Sequence, residues 1–231
     1  MKKKLAVLTG AGISAESGIK TFRDSGGLWE EYDVMEVASI DGWNKNPQLV
    51  LEFYNQRRRQ LETAQPNTAH RILAELENDF DVNIITQNVD NLHERAGSTS
   101  ILHLHGLLTQ ARSILDDSLI YDIGYADIKP GDTCEIGSQL RPHIVWFGEA
   151  VPLILTAAEL VMQADILAVV GTSLNVYPAA GLVGYLDSNK PIFLIDPNDV
   201  SISRRKELTV IKEKASIGVE KLRKLLLAEY L

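Results

Sequence analysis

An α/β fold, built on a parallel sheet with helices on both faces, is predicted by three features of this 231-residue chain. Short Val- and Ile-rich runs alternate with helical patterns, the first such run leads straight into a glycine motif, and two stretches break the alternation and read as insertions. Taken in order, Leu5–Leu8 is a first strand, and Asn46–Glu62 is a helix that Asn46 can cap and Pro47 can open. Thr68–Asn78 is a second helix, followed by strands at Val82–Thr86 and Ile101–Leu104. Helix Pro152–Gln163, strand Ile166–Val170, helix Ala179–Asp187, strand Pro191–Ile195 and helix Ile217–Ala228 complete the alternation. Residues 31–69 are helical without strands, and residues 107–141 carry mixed turn signals such as Lys129-Pro130-Gly131-Asp132. Both are expected to pack together beside the main sheet.

Composition narrows the setting. At 45% hydrophobic the chain can bury one good core and carry a small second module. The apolar part of the N-terminal segment is too short for a signal peptide, and no run approaches the roughly 18 apolar residues of a membrane span. A single cysteine, Cys134, excludes an internal disulfide framework and fits a reducing cytoplasm. The net charge of −8, with no long basic stripe and no basic run longer than the three residues of Arg57-Arg58-Arg59, argues against sequence-specific nucleic-acid binding but leaves small anionic ligands open.

Ligands of such sheets bind beyond the carboxyl ends of the strands, and the segments found there are chemically loaded. Gly10-Ala11-Gly12-Ile13-Ser14-Ala15 follows the first strand as G-x-G-x-x-A, a pattern that lets backbone approach a pyrophosphate or simply makes a tight strand-to-helix turn. The polar, glycine-rich stretch from Glu16 to Trp29 cannot be a central strand and points to a mobile loop covering the ligand. Gln87, Asn88, Asp90 and His93 crowd behind Thr86, "HLHGLL" follows Ile101, and Gly171-Thr172-Ser173 places small and hydroxylic residues behind Val170. Singly, each fits turn and capping chemistry. Their placement at one sheet edge argues for a shared ligand.

Taken together, "GAGISAESGIKTFRDSGGLW", "TQNVDNLHERAG", "HLHG", "RPHIVWFGE" and "GTSLNVYPAAG" resemble, in order and spacing from about residue 5 to 197, the signature blocks of the sirtuins, NAD-dependent protein lysine deacylases. The resemblance implies a Rossmann-like NAD-binding domain (1–30, 70–106 and 142–231) and a small module from two insertions (31–69 and 107–141), with NAD and an acyl-lysine protein or peptide meeting between them. It implies that Gln87 and Asn88 contact the nicotinamide ribose, that Asp90 receives the carboxamide, and that His93 is scaffold. Gly10, Ala11, Gly12, Ser14, Arg23, Gly171, Thr172 and Ser173 would hold phosphates and ribose, with Phe22 shielding the reacting carbon. His105 is implied as general base, acting with Asn88, and a near-neutral imidazole suits that role. His103, two residues earlier, should face the same side by strand alternation and is read as structural. The peptide would add as a strand between Val145-Trp146-Phe147-Gly148-Glu149 and Leu174-Asn175-Val176-Tyr177, with Trp146 as wall or contact.

Two positions depart from the pattern. Most sirtuins hold a structural zinc on two Cys-x-x-Cys pairs, but Leu107–Leu140 here contains Cys134 and no second cysteine or histidine, so no zinc site is expected. The interval should then rely on Ile114, Leu115, Leu119, Ile120, Tyr121, Ile123, Tyr125 and Ile128. At the adenine ribose, Asp196-Pro197-Asn198 offers Asn198 or Asp196. On the 46–62 helix, Val50, Tyr54, Arg57 and Leu61 share an inward stripe, whereas Arg58 and Arg59 fall on other faces and are read as solvated. A Tyr-x-x-Arg pair lines the acyl pocket in the sirtuin branch that removes succinyl and malonyl groups, and Tyr54-Asn55-Gln56-Arg57 resembles it. Two other uses of an NAD site are a mono-ADP-ribosyltransferase and a non-catalytic NAD sensor, the latter disfavoured by the joint presence of Asn88 and His105.

Overall fold

The computed structural model describes residues 2–19, 32–200 and 206–231. Its strands are β1 (Lys4–Thr9), β2 (Asp81–Thr86), β3 (Ile101–His103), β4 (Gly106–Ser113), β5 (Ile120–Asp122), β6 (Leu140–Ile144), β7 (Ile166–Val170), β8 (Ile192–Ile195) and β9 (Leu208–Ile211). Its α-helices are α1 (Val34–Val37), α2 (Ile40–Lys45), α3 (Pro47–Thr63), α4 (Thr68–Glu75), α5 (Leu92–Ala96), α6 (Ile154–Gln163) and α7 (Ala215–Glu229). Six strands form one sheet in the order β3-β2-β1-β7-β8-β9, every pair parallel.

Alternation along the strands explains the layering. Leu5 and Val7 of β1 join Ile84, Ala168 and Ile195 on one face, which α4 (Ile72, Leu73) and α7 (Val219, Leu222, Leu226) cover. Ala6 and Leu8 point the other way with Ile85, Leu167 and Leu194, under α6 (Ala157, Val161) and the 3-10 helix Ala179–Tyr185. Central strands buried on both faces lose the polar side of the pattern, which is why they read as continuous apolar runs.

The remaining strands form a three-stranded antiparallel sheet, β5-β4-β6. It packs on α3 through Val50, Phe53, Tyr54, Leu108, Ala111, Ile128 and Trp146. None of its strands was expected from the sequence, because β4 buries Thr109, Arg112 and Ser113, so burial there does not follow apolarity. β9 was also missed, since Val210 is exposed on a short edge strand. The expected helix over Ala179–Asp187 is instead wound as a 3-10 helix.

Two further expectations are corrected. Ile114, Leu115 and Ile120 are exposed, so they do not hold the small module; Ile128 is buried, and Ile123 and Tyr125 are partly so. Arg58 is not solvated but fully buried. Asn55 Nδ2 donates to the Ile128 carbonyl (2.9 Å) while its Oδ1 accepts from the Ile128 N–H (3.0 Å) and from the Arg58 guanidinium. Arg58 also donates to the Leu108 carbonyl at 3.4 Å. Helix α3 is thus clasped to the 107–141 segment on a side that the helical pattern assigned to water. Burial pushes the Arg58 pKa down to about 10, so it remains a cation at neutral pH. Arg59 is half-exposed and pairs with Glu52 and Asp127.

Asn55→Ala would strand both backbone groups of Ile128 and one side of Arg58. Each unsatisfied buried group costs about 1–3 kcal/mol, so a loss of at least about 3 kcal/mol in urea unfolding is expected. Arg59→Met, which breaks exposed pairs, is expected to cost less than about 1 kcal/mol in the same titration.

Candidate active site

Thr9, Thr86 and Val170 are register partners at the ends of β1, β2 and β7, so the segments that follow emerge side by side. The β1 exit lies directly against the β7 exit: Gly10 N–H donates to the Val170 carbonyl (3.1 Å) and Gly12 N–H to the Gly171 carbonyl (2.8 Å). A Cβ on Gly12 would lie 2.7 Å from Gly171 Cα, and one on Gly171, whose φ is +62°, would lie 2.4 Å from Ile13 N. Glycine is therefore required at these two positions by loop-to-loop contact. The 3-10 turn Ala11–Ile13 follows and delivers Ser14, which is buried.

Ser14 ties two exits together. Its Oγ donates to Asp90 Oδ2 (2.9 Å) and accepts from Asn88 Nδ2 (3.1 Å), while the Leu92 N–H donates to Asp90 Oδ1 (3.1 Å). Gln87 Nε2 donates to Thr172 Oγ1 at 3.2 Å, joining β2 to β7. Burial pushes the Asp90 carboxyl up, against the opposing pull of the Leu92 and Ser14 hydrogen bonds. Thr9 and Thr86, which the sequence reading did not single out as site residues, lie beneath this network with their hydroxyls 2.8 Å apart. Two adjacent strands each ending in Thr before a polar motif was the available signal.

His103 and His105 do not share the face of one strand as expected. β3 ends at His103, and Gly106, at φ +81°, turns the chain into β4 where a Cβ would lie 1.9 Å from the His143 carbonyl oxygen. The two rings have different partners. His103 places Nδ1 3.2 Å from the Asn88 carbonyl and Nε2 2.6 Å from Glu94. Burial disfavours its cation, but the Glu94 contact and the Asn88 carbonyl outweigh this and hold its pKa above the ordinary value. His105 Nδ1 lies 3.0 Å from the Gln87 carbonyl, which can only accept, so Nδ1 carries the proton and Nε2 presents a lone pair. Burial, opposed by the Gln87 bond, lowers the His105 pKa.

Tyr54 is buried and accepts from Trp146 Nε1 (2.9 Å), which leaves its own proton to donate. Desolvation raises its pKa to about 12. The Arg57 guanidinium lies 5.7 Å from the Phe53 ring centroid and 5.9 Å from that of Tyr54. Its pKa is lowered by burial, against the fields of Tyr54 and Asp90. The expected pair therefore does come together on α3.

The peptide segment needs correction. Val145 N–H donates to the His105 carbonyl, Phe147 N–H to the Ala38 carbonyl, and the Phe147 carbonyl accepts from Ile40, so much of this backbone is already paired. Glu149 is a clasp rather than a substrate contact: it accepts from Arg141 (2.7 and 3.0 Å), Arg112 (3.3 Å) and Trp146 N–H (2.8 Å). Trp146 is buried with Arg141 stacked 3.4 Å above its ring, which makes it wall. Gly148 turns at φ +90°, Leu174 is buried at φ +54°, and Phe147, Val176 and Tyr177 present exposed side chains. Ser173 lies beside Thr172 on the β7 exit, and exposed Asn198 follows β8, its N–H bonded to Asp196. Phe22 and Arg23, with the rest of residues 20–31, lie outside the described residues.

Comparison with known proteins places the chain in a family. The Sir2 family model matches residues 10–178. A Bacteroides thetaiotaomicron protein named NAD-dependent protein deacylase is 53% identical, over 97% of this chain and 98% of its own. A Helicobacter pylori protein of the same name is 58% identical over 92% of this chain and 93% of its own. Among solved structures, a Sir2 homolog–NAD complex superposes with a TM-score of 0.86 at 39% identity, covering 97% of this chain and 91% of that one. An ADP-ribose complex of a Sir2 homologue mutant gives 0.88 at 38% identity, covering 100% and 95%.

Proposed function

The chain belongs to the Sir2 family and is an NAD-dependent protein deacylase, and we propose that the acyl groups it removes from lysine include succinyl and malonyl as well as acetyl. The observation that carries the acyl assignment is Tyr54 and Arg57 side by side on α3, a phenol with a proton to donate and a guanidinium beside the Phe53 and Tyr54 rings. A guanidinium can grip a distal carboxylate with two parallel hydrogen bonds, and the phenol can add a third.

The site fits NAD through its donor and acceptor chemistry. Bound NAD supplies an electrophilic ribose carbon and nicotinamide as leaving group. Asp90, buried and held by Ser14, offers carboxylate lone pairs to the carboxamide N–H, and the Asn88 and Gln87 amides orient the ribose without adding charge. Thr172, Ser173 and the turn from Gly10 to Gly12 would hold the phosphates, and Asn198 the adenine ribose. His105 Nε2 takes the ribose hydroxyl proton, its ring fixed by Gln87. The division into an NAD-binding domain (1–30, 70–106, 142–231) and a small module (31–69, 107–141) is part of this proposal, supported by the separate cluster around Phe53, Leu108 and Ile128.

Zinc does not fit the small module. Cys134 is the chain's one cysteine, and no group of three or more His, Cys, Asp or Glu side chains gathers to hold a metal among the described residues. The Asn55–Arg58 clasp instead ties the 107–141 segment to α3 through Ile128 and Leu108. The partners in this reading are acyl-lysine proteins of the cytoplasm, consistent with an acidic chain of one free cysteine. Among the described residues no helix is long and apolar enough to cross a membrane.

His105→Ala is expected to lower turnover by roughly 100-fold or more while NAD still binds. A base works only when neutral, and His105's pKa lies below the ordinary 6.5. Wild-type kcat/KM should therefore stay flat through neutrality and fall only as pH drops through that lowered value; a midpoint above 6.5 would contradict the assignment. Arg57→Met should reduce desuccinylation by about 30-fold or more, the low end of truncating a desolvated charge pair, and leave deacetylation within a few-fold. Arg59→Met should change neither, and equal damage to both activities by Arg57→Met would make Arg57 structural. Chelator treatment should leave activity and melting temperature unchanged, because no metal-binding energy contributes to folding; stoichiometric zinc by elemental analysis would overturn this.

A further inference from the structure

Beneath the Asn88 loop runs a buried polar chain to which the mechanism above assigns no role. Thr86 Oγ1 accepts the Asn88 N–H (3.0 Å) and the Thr9 hydroxyl proton (2.8 Å), and Thr9 Oγ1 lies 3.2 Å from His93 Nε2. Thr9 has one hydroxyl proton and gives it to Thr86, so its lone pairs face His93, and the imidazole must carry its proton on Nε2. We propose that His93 is a positioning residue for deacylation: its Nε2–H, passed on through the hydroxyls of Thr9 and Thr86, fixes the Asn88 N–H and so aims the amide that meets the ribose. The proposal rests on the deacylase reading above, in which Asn88 orients the ribose.

The surroundings hold the ring in that one state. His93 is fully buried, and its Nδ1 has no hydrogen-bond partner among the described residues, as suits the bare lone pair of a neutral Nε2–H tautomer. His70, on α4, packs edge-on with ring centroids 4.8 Å apart and is also fully buried. His103 on β3 and the neighbouring Glu94 are the other titratable groups around this pair. Burial, then the fields of His70 and His103, keep the His93 pKa well below the ordinary value, so the neutral donor persists at physiological pH. The relay is anchored at both strands, because Thr9 and Thr86 are register partners and Gln87 N–H donates to the Thr9 carbonyl at 3.0 Å.

The test compares side chains that can and cannot donate. Gln at 93 places an amide N–H near the position of Nε2, and Leu cannot donate. His93→Leu should lower kcat by about tenfold, the worth of one buried hydrogen bond, with KM for the acyl peptide within about twofold, and His93→Gln should recover kcat to within about threefold of wild type. The double variant His93→Leu, Thr86→Val should be no slower than the worse single variant, because both cut one chain. Equal loss in Gln and Leu, or losses that multiply, would overturn the relay. Should His93→Leu fail to fold, Thr86→Ser against Thr86→Val carries the same contrast, with equal loss again overturning it. If wild-type protein deacylates no peptide, the deacylase reading falls and the relay is judged on Asn88 amide exchange: slow in wild type and His93→Gln and fast in His93→Leu supports it, and equal rates overturn it.

Discussion

The backbone of the β1 exit rests on the backbone of the β7 exit, and the rest of the site depends on that contact. With Gly12 N–H donating to the Gly171 carbonyl and no room for a Cβ on either residue, the two loops are held as one surface. Ser14 is delivered at a fixed position over the β2 exit, where its single hydroxyl serves both Asn88 and Asp90. A side chain at Gly12 would push the loops apart and loosen the polar network that crosses three strands. The glycine motif, usually read as making room for phosphate, here first makes room for the protein itself.

Burial without full neutralisation sets the chemistry of this edge. His105 and His103 lie two residues apart, yet one pKa is lowered and the other raised, because His105 meets only a carbonyl while His103 meets Glu94. That divergence distinguishes the two rings more clearly than sequence position does, and it is the lowered one that suits the proposed base. Asp90 and Arg57 show the same logic with opposite signs. Each is disfavoured as an ion by burial, and Asp90's field helps keep Arg57 charged, which couples α3 electrostatically to the β2 exit.

Much of this was legible in the sequence because it was written in short-range signals. The five strands expected for the parallel sheet were found within a residue or two, since runs such as Ile166–Val170 are buried on both faces and have no polar side to confuse them. Asn46 caps α3 as its type and the following proline imply, accepting from the Leu49 N–H. The post-strand residues Ser14, Gln87, Asn88, Asp90 and Thr172 meet because parallel strands in register must bring their exits together. What failed was whatever depended on partners distant in sequence. Arg58 could not be read as buried because its reasons for burial, Ile128 and Leu108, lie on another segment. Glu149 looked like a substrate residue until Arg141 and Arg112 claimed its carboxylate. The Thr9–Thr86–His93 chain was hidden because two hydroxyls at strand ends carry no periodicity.

The central claim is that this edge spends NAD to remove an acyl group from lysine and, by way of Tyr54 and Arg57, accepts one that ends in a carboxylate. The most direct measurement is a mass balance of one reaction, with NAD and a succinyl-lysine peptide incubated with the protein and all products identified by mass spectrometry. The account predicts equimolar nicotinamide, free lysine peptide and O-succinyl-ADP-ribose, with no nicotinamide released when peptide is omitted. ADP-ribose attached to the peptide or the protein, or nicotinamide release that is independent of the acyl group, would contradict it.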